Sequence, residues 1–302
     1  MIYLITHEYS VTRFLFTELD GVEAILIPIK RRSFLKRCFN YIARKMGALG
    51  GSLDLSKKQV KKIKEMNSED ALVYLGESPT ACYALSKICK KQVRKICFFW
   101  NSCITVKNCE ECIERIRKTG FSIATFDSDD SQRYNLIFAN QFYRKIKESN
   151  CDGQTDMKYD FFFCGKDKGR KELLQEMQTL LSSFGTCKFI IPGNTGVIPY
   201  PSYKKKKKKS RVLCDVTQKN QSGLTLRVLE AIFFSKKLIT NNLFIEKNDF
   251  YNPNNILIYT SHTTKDDVLS FLMKPYEPVD GEILARYEVT NVFKNIVHIL
   301  AH

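Results

Sequence analysis

No stretch of this 302-residue sequence reaches the ~20 consecutive apolar residues that a membrane span needs. The opening residues, MIYLITHEYS, lack the basic region, apolar core and small-residue cleavage site of a secretory signal. They read instead as a first strand, and a cytosolic location is the expectation. No repeat of fixed short period is present, and no RNA- or DNA-binding motif accompanies the basic charge. Cysteine is plentiful at 11 residues but shows no second metal-binding pair. Cys109 and Cys112 form a lone CxxC near Cys103, without neighbouring histidines, so structural zinc is not expected. Cys97 in ICFFW, Cys164 in FFFCG and Cys214 in VLCDV read as small core residues.

What is present is a globular composition. Hydrophobic residues make up 44%, well above a disordered chain, and the length suits two domains of usual size. A net charge of +16 and a pI near 9.3 point to an anionic partner: nucleic acid, a membrane surface or a phosphorylated substrate. Charge alone does not choose among these.

Apolar strands alternate with helices along the chain. Strands are expected at Ile2 to Thr6, Val22 to Ile29, Ala71 to Leu75, Ile96 to Trp100 and Ser122 to Phe126. Helices are expected at Arg31 to Met46, Lys57 to Met66, Thr80 to Cys89, Cys109 to Thr119 and Ser131 to Ile146. This pattern predicts a parallel sheet covered on both faces. The polar segment from Glu148 to Lys158 marks a boundary, giving domains 1–150 and 151–302. The second domain restarts the alternation with a strand at Tyr159 to Cys164, a basic turn at Gly165 to Arg170, a helix at Glu172 to Phe184 and a strand at Cys187 to Ile191. It ends in a helical tail from Gly281. Two Rossmann-like domains, with strand carboxyl ends facing a cleft, are the expected α/β architecture.

The organising stretch of the second domain is Arg211 to Asn242. Val212 to Val216 reads as a buried strand, Gln218 to Gly223 as a loop, and apolar residues from Leu224 recur at helical spacing until the Lys237 to Thr240 strand. Such a unit sets a helix N-terminus, with its partial positive charge, at the carboxyl edge of a sheet. Thr225, Arg227 and Glu230 lie around that first turn, where an anion would bind. Two basic stretches need separate readings: Arg31 to Lys45, amphipathic with Phe34, Leu35, Cys38, Phe39 and Ile42 on one side, reads as a helix covering the sheet or docking on a membrane surface, and the lysine run from Lys204 to Lys209 as a solvated loop or an unspecific site of membrane or nucleic-acid attraction.

The second half resembles the nucleotide-sugar-binding domain of bacterial GT-B glycosyltransferases of the lipopolysaccharide, O-antigen and capsular polysaccharide type. The resemblance is carried by FFFCGKDKGRKELL (Phe161 to Leu174) and QSGLTLRVLEAIFFSKKLITNN (Gln221 to Asn242). FFWN (Phe98 to Asn101) and FDSDDSQRYNL (Phe126 to Leu136) extend it thinly into the first half. The resemblance implies a GT-B fold and sugar transfer from a UDP- or GDP-linked donor, without a further cofactor, to an oligosaccharide or lipid-linked acceptor. It also implies peripheral placement on the inner face of the cytoplasmic membrane, against an anionic surface, with no nucleic-acid partner.

On this resemblance Gly165, Lys168, Arg170 and Arg227 face the donor diphosphate. Gly223, Leu224 and Thr225 offer backbone N–H groups, and Glu230 accepts from the ribose. Many retaining members carry a second glutamate eight residues before this one; this chain has Ser222, which leaves the stereochemistry open. For an inverting route Asp127, Asp130 and His7 are the candidate general bases, with Asp127 equally suited to cap a helix. The acidic run DSDD invites a metal reading, but the basic residues and helix dipole of this fold take that role. A non-catalytic partner of the same fold is the main alternative, and a basic nucleic-acid-binding protein a lesser one.

Overall fold

Strands covered on both faces carry unbroken apolar runs, and Ala71–Leu75 and Phe161–Phe163 are buried at every position. These strands lie in the interior of two sheets. The computed structural model describes residues 1–29, 53–145, 157–192, 198–218 and 222–301. The helix expected over Arg31 to Met46 therefore lies outside the described residues.

The chain divides into two compact units, Met1–Asn140 with Thr290–His302, and Gln141–Val289. The first holds strands β1 (Ile2–His7), β2 (Val22–Ile27), β3 (Ala71–Leu75), β4 (Arg94–Phe99), β5 (Ser122–Thr125) and β6 (Ile137–Phe138). They form one parallel sheet in the order β2-β1-β3-β4-β5-β6. Its helices are α1 (Ser10–Leu15), α2 (Lys57–Glu65), α3 (Pro79–Ile88), α4 (Cys109–Arg117) and α5 (Ser128–Tyr134). Ser56 and Gln59 close a reciprocal capping box at the start of α2, and Ser78 caps α3, so local hydrogen bonding sets both helix starts.

The second unit holds β7 (Tyr159–Cys164), β8 (Cys187–Ile190), β9 (Ser210–Asp215), β10 (Lys237–Thr240) and β11 (Ile256–Ile258). These too are parallel, in the order β11-β10-β9-β7-β8. Helices α6 (Lys171–Leu181), α7 (Tyr200–Lys208), α8 (Leu226–Phe233), α9 (Lys265–Met273) and α10 (Gly281–Arg286) follow in turn, and α11 (Val289–Ile299) ends the chain. In each sheet the strand order reverses once, between β1 and β3 and between β7 and β9. Ligands of doubly wound sheets bind outside the carboxyl ends of the strands at such reversals.

Two expectations are corrected. The helix expected over Ser131 to Ile146 stops at Tyr134, because Asn135 turns left-handed at φ 49°, a conformation asparagine tolerates. Ile137 and Phe138 then add an edge strand beside β5. The division at 150/151 also shifts, to Asn140 and Gln141. Within the second unit, Tyr143 N–H donates to Tyr287 O at 2.8 Å and Tyr143 O accepts from Val289 N–H at 2.9 Å, so this segment already belongs there. The expected helical tail forms, but α11 from Thr290 onward belongs to the first unit. The reason is apolar: fully buried Phe293 packs edge-on to Phe98 at 5.9 Å and against Phe16 at 6.4 Å.

Phe293→Ala removes that contact, and large-to-small changes of a buried phenylalanine cost about 3–5 kcal/mol. Denaturant unfolding will show a loss of that size, whereas a loss under about 1 kcal/mol would mean the tail is not part of the first core.

Candidate functional site

The reversal of the second sheet lies between the ends of β7 and β9, and a buried carboxylate occupies it. Asp215, fully buried at the end of β9, accepts through Oδ1 from Thr225 Oγ1 at 2.9 Å and Arg227 Nε at 2.8 Å. Its Oδ2 accepts from Thr240 Oγ1 on β10 at 3.2 Å. Arg227 also donates from Nη1 to Cys164 O at 3.3 Å and lies over the Phe163 ring at 5.0 Å. One residue of α8 is thereby tied to the last residues of two neighbouring strands.

Arg170 reaches the same place from the turn before α6. Its guanidinium donates to Lys166 O at 2.9 Å and 3.2 Å and to Val216 O, and it lies 5.3 Å from Phe163. Burial and then Arg227 push its pKa down to about 10, so it stays charged at neutral pH. Gly165 sits between the two guanidiniums. A Cβ there would stand 2.8 Å from Arg170 Nη2 and 3.0 Å from Arg227 Nη1, so only glycine lets both come this close. Lys168 adopts a left-handed φ of 50° and Gly169 a φ of 75°. Lys168 is exposed by surface area, yet loss of water around its ammonium, followed by Arg170, Arg227 and Lys166, lowers its proton affinity. These four cations outnumber the carboxylates of Asp215 and Asp167, which makes the edge a concentrated positive field suited to an anion.

Thr225 stands at the N-cap of α8 with extended backbone, and its hydroxyl goes to Asp215 instead of to the helix amides. Gly223 and Leu224 are buried immediately before it. Asn242 Nδ2 donates to Ser222 O at 3.3 Å, pinning this loop to the segment after β10; residues 219–221 lie outside the described residues.

Glu230, one turn further along α8, is engaged in a buried polar network beside this field. Its carboxylate is 2.8 Å from the Lys207 ammonium and accepts from Tyr200 at 2.8 Å and from Tyr203. Lys207 is fully buried. Rings of Phe234, Tyr203, Tyr143 and Tyr200 surround it at 4.3, 5.0, 5.4 and 5.4 Å, and burial pushes its pKa down to about 8 despite Glu230. The lysine run is therefore neither loop nor wholly surface: it closes α7, and one lysine points inward. Tyr200, Tyr203 and Lys207, spaced three and four apart, were the signal for that inward face.

In the first unit the three candidate bases lie at carboxyl ends of strands with different local duties. Asp127 caps α5, accepting from the N–H groups of Asp129 at 3.1 Å and Asp130 at 3.3 Å. Asp130 accepts from Cys103 N–H at 2.7 Å, and burial raises its proton affinity. His7 ends β1 with its ring edge-on to Tyr9 at 6.4 Å. Two acids were passed over in the sequence: Asp215, the lone charge closing the apolar run VLCDV, and Glu77, which follows the glycine closing YLG. A single acid at the end of a buried strand is the signal for both. Among the described residues no group of three or more histidine, cysteine, aspartate or glutamate side chains is placed to hold a metal. Cys103, Cys109 and Cys112 are buried in the core of the first unit.

No protein-family model matches the sequence, and no curated protein matches it. Solved structures do. An alpha-glucosyltransferase in complex with UDP-glucose and DNA containing an abasic site is similar with a TM-score of 0.59 at 10% identity, covering 100% of this chain and 99% of that one. A glycosyltransferase from Rickettsia africae gives a TM-score of 0.51 at 9% identity, covering 99% of this chain and 97% of that one. TarM gives 0.51 at 13% identity over 80% of this chain, which spans 57% of TarM's length. At such identities the likeness bears on the fold. Together with the two doubly wound sheets it establishes GT-B, two Rossmann-like domains.

Breaking a buried ion pair by removing one partner costs about 3–5 kcal/mol, since the other charge is left uncompensated. Lys207→Met will lower stability by that order in denaturant unfolding. The double change Lys207→Met with Glu230→Gln will lose less than the single one. Equal losses would mean the pair contributes packing rather than charge compensation.

Proposed function

We propose that this chain is a glycosyltransferase that moves a sugar from a nucleotide-sugar donor, its second unit holding the donor diphosphate and its first unit the acceptor. The observation that carries this reading is the pair of Arg227 and Arg170 closing on Gly165 at the sheet reversal, with Lys168 and Lys166 in electrostatic reach of them. As the sugar–phosphate bond breaks, negative charge grows on the departing diphosphate. Cations already fixed in place stabilise that charge without reorganising. Asp215 fixes Arg227, and the backbone carbonyls of Lys166 and Val216 fix Arg170, so Lys168 and the outer edges of both guanidiniums are the groups left to meet the phosphates. Amides of Leu224, Thr225 and the start of α8 add donors to the same anion.

Glu230 serves the ribose only by exchanging a partner among Tyr200, Tyr203 and Lys207. In its present network it steadies α8, which carries Arg227. The chemistry runs without a metal, on the cations alone. A growing, lipid-linked surface glycan is the acceptor class, and the inner face of the cytoplasmic membrane is the site of action. The basic excess of +16 favours that anionic surface, and no helix among the described residues is long and apolar enough to cross it. A glucosyltransferase of similar fold was solved with DNA, which makes a nucleic-acid acceptor the second reading. Steep loss of binding with salt, without nucleotide preference, distinguishes that case.

Calorimetry with UDP and GDP, each with and without EDTA, tests the donor site. One nucleotide will bind, and EDTA will leave that binding unchanged. Lys168→Ala will weaken it about 10- to 100-fold, the range of one lost charge-assisted hydrogen bond. The unliganded melting temperature will stay put, since Lys168 is exposed. Absence of binding by either nucleotide would sink the donor reading, and binding abolished by EDTA would restore a metal to it.

A further inference from the structure

The carboxyl edge of the first sheet carries an acid whose arrangement differs from those of Asp127 and Asp130. Glu77 follows β3 at the reversal between β1 and β3, the position where a doubly wound sheet receives its ligand. Gly76 before it has φ 148°, and a Cβ there would meet Tyr74 Oη at 2.9 Å, so a side chain at that position is excluded. Gly76 N–H donates to Phe98 O at 2.9 Å, and Glu77 O accepts from the Cys112 thiol at 3.4 Å. The backbone on both sides of the carboxylate is thus held.

The carboxylate itself is used on one side only. Oε1 accepts three hydrogen bonds, from Trp100 N–H at 2.9 Å, Asn101 N–H at 2.9 Å and Asn101 Nδ2 at 3.1 Å. Oε2 has no donor among the described residues, and no lysine or arginine there pairs with Glu77. Its titratable neighbours are the Tyr74 phenol and the thiols of Cys97, Cys109 and Cys112. Partial burial raises its proton affinity against the pull of those three donors. An oriented, half-buried carboxylate with one oxygen held and one unengaged has the form of a general base.

We infer that Glu77 is the base that accepts the proton of the acceptor hydroxyl, an inference that rests on the glycosyltransferase reading. In the step, the acceptor O–H bond breaks and its proton passes to Glu77 Oε2. The freed electron pair of that oxygen forms the bond to the anomeric carbon. The bond from that carbon to the phosphate oxygen breaks, and the nucleoside diphosphate leaves with its electron pair. No oxidant, reductant or further reactant enters.

A purely structural duty is the rival, with Glu77 as the cap of the loop after β4. A neutral amide accepts the same hydrogen bonds, so Glu77→Gln separates the two. The assay follows nucleotide release from a panel of UDP- and GDP-hexoses with water as acceptor, beside UDP and GDP binding and melting temperature. Glu77→Gln will match the wild type in stability and nucleotide affinity, and its kcat will fall about 100-fold or more at unchanged donor KM. Glu77→Asp will recover part of the loss. Full kcat in Glu77→Gln overturns the assignment and leaves the glycosyltransferase reading intact. So does a loss that merely follows a lowered melting temperature. A wild type that binds nucleotide yet releases none from any donor overturns the reading itself, and the role of Glu77 with it.

Discussion

The buried pair of Asp215 and Arg227 is the constraint on which the second unit's edge depends. A carboxylate with no exposure is tolerable only when paired and hydrogen-bonded. Asp215 achieves this with Thr225, Arg227 and Thr240, which come from the start of α8 and the end of β10. Arg227 extends the tie to β7 through Cys164 O. One charge thus fixes the register of three strand ends and a helix start. A basic residue placed by this pair cannot relax toward solvent, and it is the reason a cationic edge exists in a fixed geometry. Phe163, beneath both guanidiniums, supplies the face on which they rest.

The basic excess of the chain divides into charges of two kinds. Lys168, Arg170 and Arg227 lie within electrostatic reach of one another, and burial first, then the neighbouring cations, lowers the proton affinities of Lys168 and Arg170. That is costly in an empty protein and favourable beside a diphosphate. The lysine run is different. Lys205 is exposed and Lys207 enclosed, so a helix of near-uniform charge is anchored by one buried residue and a cage of rings. The anchor holds α7 against α8 through Glu230.

Much of this was legible in the chain. Strand runs such as Tyr159–Cys164 and Lys237–Thr240 follow from continuous apolar residues bounded by turns, and the parallel sheets follow from their alternation with helices. Arg227 was visible because the spacing of Leu224, Val228, Leu229 and Ile232 defines the helix face and hence its first turn. Other features needed three dimensions. Asn135 is a local stop signal, but the apolar run Leu136, Ile137 and Phe138 masked it until the edge of β5 took that run up. The return of the tail to the first unit depends on Phe98 and Phe16, which are distant in sequence. Glu230 looked like a ligand because its helix looked like a site, but its partners sit on α7, whose lysines masked an inward face.

The carboxyl edges of the two sheets carry different charged groups. At the second edge, cations crowd round a glycine and one buried acid. At the first, Glu77 stands with no basic side chain paired to it among the described residues. These properties rest on a few positions: Gly165, where a side chain would strike two guanidiniums; Gly76, where φ 148° excludes one; and the single acids that end β9 and follow β3. The strands between them need only be apolar, and many residues satisfy that. A chain constrained at a few edge positions and otherwise only by hydrophobicity and period can drift to 10% identity with a structure of TM-score 0.59 and keep its topology.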